Sequence, residues 1–212
     1  MVIAGIVIDK KNEKKLVKLG VKDSKQLTPK KREELAPKIE NLCNSVIVLR
    51  IPACKIDSYR KNKINLDSLE AMKMAEIINV SQAEKIFVDS LNFNSDKFKN
   101  RIIHHLEDKD IELVCENYSD ETYPVVSAAS IIAKVERDKV INEIKRKVNY
   151  DFGVGYSHDQ RTVEFVRMLA KNNKKFPPYI RSTWVTAQII REHSWQRKLK
   201  EFLLRKKDVP CE

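Results

Sequence analysis

Two aspartates, Asp89 and Asp120, carry the chemistry open to this chain. Asp120 falls within SDETYPVVSAASIIAKVERD, Ser119 to Asp138, just ahead of a helix that opens with Ser127, Ala128, Ala129 and Ser130. Four small residues in a row let a backbone lie close to a sheet or a ligand, and Asp120 is held at the mouth of that helix. Asp89 follows Ile86, Phe87 and Val88, an apolar run that reads as a short buried strand, so the acid lies at the strand's C-terminal end. Singly, these acids read as a loop residue and a helix cap. Together with the small-residue helix they favour a metal site, because carboxylates at the ends of such elements hold divalent ions. Oxygen-only ligands suit Mg²⁺ or Mn²⁺.

Other segments offer contacts rather than chemistry. Lys22, Ser24 and Lys25 set two cations around a hydroxyl, which suits a phosphate contact; on these residues alone an ordinary turn is the stronger reading. Gly153-Val154-Gly155-Tyr156 presents an aromatic that could pack on a sugar or base, or simply close a helix with a half-buried tyrosine. Gln196, Leu199, Phe202 and Leu203 are spaced for helix-in-groove docking on a partner, or for an amphipathic tail packed on its own domain. His104 and His105 are adjacent, so one helix could not turn both to one ion, and they read as surface residues.

The elements that must place these residues alternate along the chain. Strands are expected at Val2–Ile8, Ser45–Ile51, around Asp89 and at Ile111–Cys115. Thr28 caps a helix with Pro29 at its first position, and Leu35, Ile39 and Leu42 form its buried stripe. Pro37 is expected to interrupt that helix. Asn65 caps another helix ending near Val80, and further helices are expected around Phe98–Leu106, from Ser127, over Val163–Ala170 and from about Thr183. This alternation predicts a layered α/β fold. The 212 residues are read as one domain, about 1–150 forming the α/β core and about 151–212 a helical region and tail.

Composition narrows the classes further. Lysine and arginine number 41 against 30 acids, a formal net charge of +11, which favours a polyanionic partner, nucleic acid before membrane. No apolar run approaches the roughly 18 residues that span a bilayer. Four cysteines lack any CxxC pair, which favours reduced thiols and a cytoplasmic setting. Only four glycines are present, so Walker and Rossmann phosphate loops are excluded.

VKDSKQLT (Val21 to Thr28), IFVDS (Ile86 to Ser90), YPVVSAASIIAKVERD (Tyr123 to Asp138), FGVGY (Phe152 to Tyr156) and FPPYIRSTW (Phe176 to Trp184) are collinear over most of the chain. In these blocks the chain resembles ribonuclease HII in its archaeal form. The resemblance implies a ribonuclease H-like mixed sheet flanked by helices, with a C-terminal helical region. It implies endonucleolytic hydrolysis of RNA in RNA–DNA hybrids, including ribonucleotides embedded in DNA, by a monomeric enzyme in replication and repair that uses two metal ions and leaves 5′-phosphate ends. Asp89 and Asp120 match two of the family's four metal acids. Lys22, Ser24 and Lys25 match a segment beside the substrate backbone, and Tyr156 a tyrosine near the hybrid-to-DNA junction, although Ser157-His158-Asp159-Gln160 departs from the family's usual sequence. The tail resembles a sliding-clamp-binding peptide, with Leu203 in place of its second aromatic.

One departure bears on activity. The family opens with a strand carrying Gly-Ile-Asp-Glu-Ala-Gly-Arg-Gly, which supplies the other two metal acids and reads the ribose 2′-hydroxyl; Met1 to Gly5 instead match its second strand. The resemblance therefore implies a chain without the family's central strand. A start codon assigned at an internal methionine is the expected explanation, ahead of a truncation or an inactive paralogue that binds hybrids or a clamp. Two carboxylates leave a pair of divalent ions about 4 Å apart under-compensated.

Overall fold

A computed structural model describes residues 1–21, 26–90, 94–172 and 175–205, with side chains to 196. The order is β1 (Val2–Val7), α1 (Lys10–Lys18), α2 (Pro29–Glu40), β2 (Ser45–Arg50), α3 (Ala53–Lys61), α4 (Leu66–Ser81) and β3 (Lys85–Asp89). It continues through α5 (Ser95–His104), β4 (Glu112–Glu116), α6 (Ser119–Thr122), α7 (Pro124–Val148), α8 (Gln160–Asn172) and α9 (Val185–Arg205). Two compact units result: residues 1–51 with 62–140, and residues 52–61 with 141–212.

Among the described residues, all four strands lie in the first unit. β1 pairs antiparallel with β2, Val2 opposite Arg50 and Val7 opposite Ser45. β3 pairs parallel with β4, Lys85 opposite Glu112 and Asp89 opposite Glu116. Among the described residues the strands form these two separate pairs rather than one continuous sheet. Helix α4 packs on β1 so closely that a Cβ on Gly5 would lie 2.5 Å from Cγ2 of Ile77. A glycine is what that approach requires.

The helix starts follow from local chemistry. Thr28 accepts a hydrogen bond from Lys31 N at 3.2 Å, and Asn65 from Ser68 N at 2.8 Å, each satisfying an amide that the first turn leaves open. Pro37 does not interrupt α2 as expected; the helix runs unbroken to Glu40. Pro37 costs it a backbone hydrogen bond, and burial of Leu35, Ala36 and Ile39 on either side holds it together. Those residues join Leu16, Ala128 and Ile131 in one core cluster. Phe98, Ile102, Leu113 and Val88 form a second cluster beside β3 and β4.

The second unit is helical. Phe165 of α8 stacks on Phe152 at 5.0 Å and on Tyr150 at 5.2 Å. Among the described residues, no helix is long and apolar enough to cross a membrane.

Candidate active site

Asp89 is the last residue of β3, at the strand's C-terminal end. Beside it runs β4, and the parallel ladder continues one step further, Ser90 N donating to Glu116 O at 2.7 Å. Past Glu116 the chain turns sharply. Tyr118 adopts a left-handed conformation, φ 60°, and starts the one-turn helix α6. That turn aims the amide of Ser119 at Asp89, and Ser119 N donates to Asp89 Oδ1 at 3.0 Å. The hydroxyl of Ser119 lies 3.1 Å from Val88 O and 3.0 Å from Glu116 O, a donor shared by both strand ends.

Asp120 follows directly in the chain. It is almost wholly buried, at 3% exposure, and Ser119 at 1%. Its backbone carbonyl accepts a hydrogen bond from the Ser127 hydroxyl. Ser127 is buried in the second turn of α7 beside Ala128, so the small-residue run brings α7 close beneath the acid. Asp89 and Asp120 are thus fastened to one knot: strand end, turn and helix start. Sequence reasoning singled out both acids but missed Ser119, whose only signal was its adjacency to Asp120.

Aromatic and ionic contacts brace the knot. Tyr123 packs on Phe87 with ring centres 4.5 Å apart, and its hydroxyl donates to Glu116 Oε2 at 3.2 Å. Desolvation and the Glu116 carboxylate together push the Tyr123 hydroxyl above its ordinary range. Along α7, Glu136 pairs with Arg50 of β2, and Asp138 with Arg32 of α2 at 3.4 Å. The acids of KVERD therefore anchor α7 and are already committed.

The oxygen donors suit a hard cation. Two carboxylates and a substrate phosphate are a usual set for Mg²⁺. Among the described residues, no cluster of three or more metal-ligating side chains occurs. Asp89 and Asp120 are the carboxylates that could hold such an ion, with solvent and phosphate filling its remaining positions.

The other sequence candidates divide as follows. Lys22, Ser24 and Lys25 lie outside the described residues. Tyr156 belongs to the second unit and is exposed, its ring stacked on His158 at 5.4 Å. Gln196 is exposed on α9, while the side chains of Leu199, Phe202 and Leu203 lie outside the described residues. His104 and His105 are exposed, as expected.

Known proteins resemble this chain over nearly its whole length. The sequence profile of the family described as Ribonuclease HII matches residues 1–187. The ribonuclease HII of Methanosphaera stadtmanae is 40% identical over 190 residues, covering 90% of this chain and 87% of that protein. The crystal structure of ribonuclease H2 from Pyrococcus horikoshii OT3 superposes with a TM-score of 0.80 at 36% identity, covering 92% of this chain and all of that one. The ribonuclease HII of Archaeoglobus fulgidus, solved in complex with PCNA, gives 0.79 at 35% identity over 90% of this chain and 88% of that one. The chain belongs to the ribonuclease HII family of metal-dependent endonucleases.

Proposed function

We propose that this chain hydrolyses the RNA strand of RNA–DNA hybrids, including single ribonucleotides embedded in DNA, at a site built on Asp89 and Asp120. The observation that supports the reading is the Ser119 N–H bond to Asp89, which ties the Asp89 carboxylate to the residue next to Asp120. Mg²⁺ or Mn²⁺ held by Asp89 and Asp120 would polarise the phosphodiester and favour a hydroxide nucleophile. The protein's own part is preorganisation. Ser119 fixes the Asp89 carboxylate, Ser127 fixes the backbone of Asp120, and burial keeps Asp120 from wandering. In-line opening of the phosphodiester leaves 5′-phosphate and 3′-hydroxyl ends.

Substrate contacts in this reading are Lys22, Ser24, Lys25 and Tyr156; the exposure of Tyr156 supports its availability to a sugar or base. Gln196, Leu199, Phe202 and Leu203 dock on a sliding clamp. The continuity of α9 through these positions supports that assignment, as does the archaeal relative solved with PCNA. The enzyme works as a cytoplasmic monomer.

The test is cleavage of a DNA duplex containing one ribonucleotide, with Mn²⁺. Asp89→Asn and Asp120→Asn are each expected to abolish cutting, and retained cutting would refute the site. A chain extended at its N terminus by a strand carrying two further acids is expected to cut faster than residues 1–212. Equal rates would mean that Asp89 and Asp120 suffice. Phe202→Ala is expected to lose clamp binding and keep cleavage; unchanged clamp affinity would discard that partner.

A further inference from the structure

A cleft of about 330 Å³ opens in the second unit, lined by none of the residues the proposed reaction uses. One wall is α3, contributing Lys61; the other is the Lys175–Ser182 segment with Arg191 of α9. Phe176 and Pro177 add an apolar surface beside the three cations.

The walls are fixed to each other. Cys54 N donates to Pro178 O at 3.1 Å. Asp57 of α3 receives four hydrogen bonds from the opposite wall. Ser182 N and Oγ donate to its Oδ2, each at 2.7 Å, and Thr183 N and Oγ1 to its Oδ1 at 3.0 and 2.6 Å. With its oxygens taken up in this way, the one acid on the cleft has little left to offer Lys61 and Lys175. Neither lysine is ion-paired among the described residues. Three cations and one carboxylate line the cleft. The Arg191 guanidinium lies 5.9 Å from the Trp195 ring, a contact that braces its orientation.

A preformed, rigid, cationic cleft with an apolar wall matches a phosphodiester flanked by its sugar. We infer that this cleft is a second nucleic-acid site, holding one backbone phosphate through Lys61, Lys175 and Arg191, with Phe176 and Pro177 against the adjoining sugar or base. It rests on the reading of the chain as an enzyme of nucleic acid, and it requires no ribose, so an all-DNA duplex occupies it equally.

The experiment measures affinity of the full chain for an all-DNA duplex between about 50 and 200 mM salt. Lys61→Gln, Lys175→Gln and Arg191→Gln are each expected to reduce the slope of log K against log salt by about 0.9. The triple variant loses roughly three such increments. Arg191→Lys retains the slope, as does Lys109→Gln, a control on an exposed lysine of the first unit. Asp120→Asn also keeps it, so failure of the catalytic site and failure of the cleft read out separately. Unchanged slopes in the cleft variants, or an equal loss with Lys109→Gln, would overturn the inference. A second arm adds inorganic phosphate at fixed ionic strength. Thermal stabilisation of the unaltered chain but not of the triple variant, with DNA slopes unchanged, would make the cleft a free-phosphate site and overturn the assignment to backbone.

Discussion

Asp57 and Asp120 are almost equally withdrawn from solvent, at 7% and 3% exposure, yet their surroundings are opposite. Asp57 is ringed by donors. Burial alone would raise its carboxyl, but the bonds from Thr183 and Ser182 outweigh that and hold it below the usual carboxylate range. Asp120 adjoins an amide whose bond goes to a second carboxylate, Asp89. In the proposed site the two like charges would oppose folding unless a cation joined them. Depth does not separate a structural acid from one proposed to bind metal. The partners do: Asp57 takes neutral amide and hydroxyl donors, and Asp120 is paired in the proposed site with a second carboxylate.

The comparison is broken most forcefully at Asp120. Asp120→Asn should lower cleavage by roughly three orders of magnitude, while the melting temperature in the absence of metal stays level or rises. A variant that melts lower and cuts normally would reverse the roles assigned to the two acids. Asp57→Ala should do the opposite to the fold. Four donors lose their acceptor, at a cost of roughly 2–3 kcal/mol, or about 5–10 °C in melting temperature for a chain of this size. An unshifted melting curve would remove the structural role of Asp57.

Acid titration sharpens the contrast. Because the folded carboxyl of Asp57 sits below its unfolded value of about 3.9, its stabilisation is complete above that pH and is lost as pH falls through the lower, folded value. Glu136, held down by Arg50 and Lys139 against the effect of burial, behaves alike. Stability of the unaltered chain should therefore decline below about pH 4, and Asp57→Asn should decline less over the same range. Identical acid profiles would dissociate Asp57 from the loss. A small yardstick completes the series: Thr28→Ala removes one capping bond and should cost about 1 kcal/mol in chemical denaturation. A cost as large as that of Asp57→Ala would mean that the four-donor knot is no stronger than an ordinary cap.

Much of the site was legible because its signals are local. Asp89 closes an apolar run, and Asp120 precedes a run of small residues; both patterns lie in a few consecutive residues. Thr28 and Asn65 announced their helices for the same reason. Helices α1 and α3 were not read. In α1 only Leu16 is buried, so no apolar stripe exists to find. The buried residues of α3 are Ile56 and Asp57, and a buried acid looks like surface until its partners are known. Those partners, Ser182 and Thr183, lie 125 and 126 residues away in sequence. The pairing of strands was equally out of reach, since register and neighbours depend on contacts across the whole unit. The cationic cleft was invisible because Lys61, Lys175 and Arg191 meet only through folding.

The central claim is that Asp89 and Asp120 together hold a divalent cation, and thermal unfolding of the metal-free chain titrated with Mn²⁺ tests it without reference to catalysis. The account predicts that Mn²⁺ raises the melting temperature, by about 1.4 kcal/mol of stabilisation at tenfold excess over its dissociation constant, and that Asp89→Asn and Asp120→Asn each abolish the rise. An equal rise in all three proteins, or none in the unaltered chain, would contradict it.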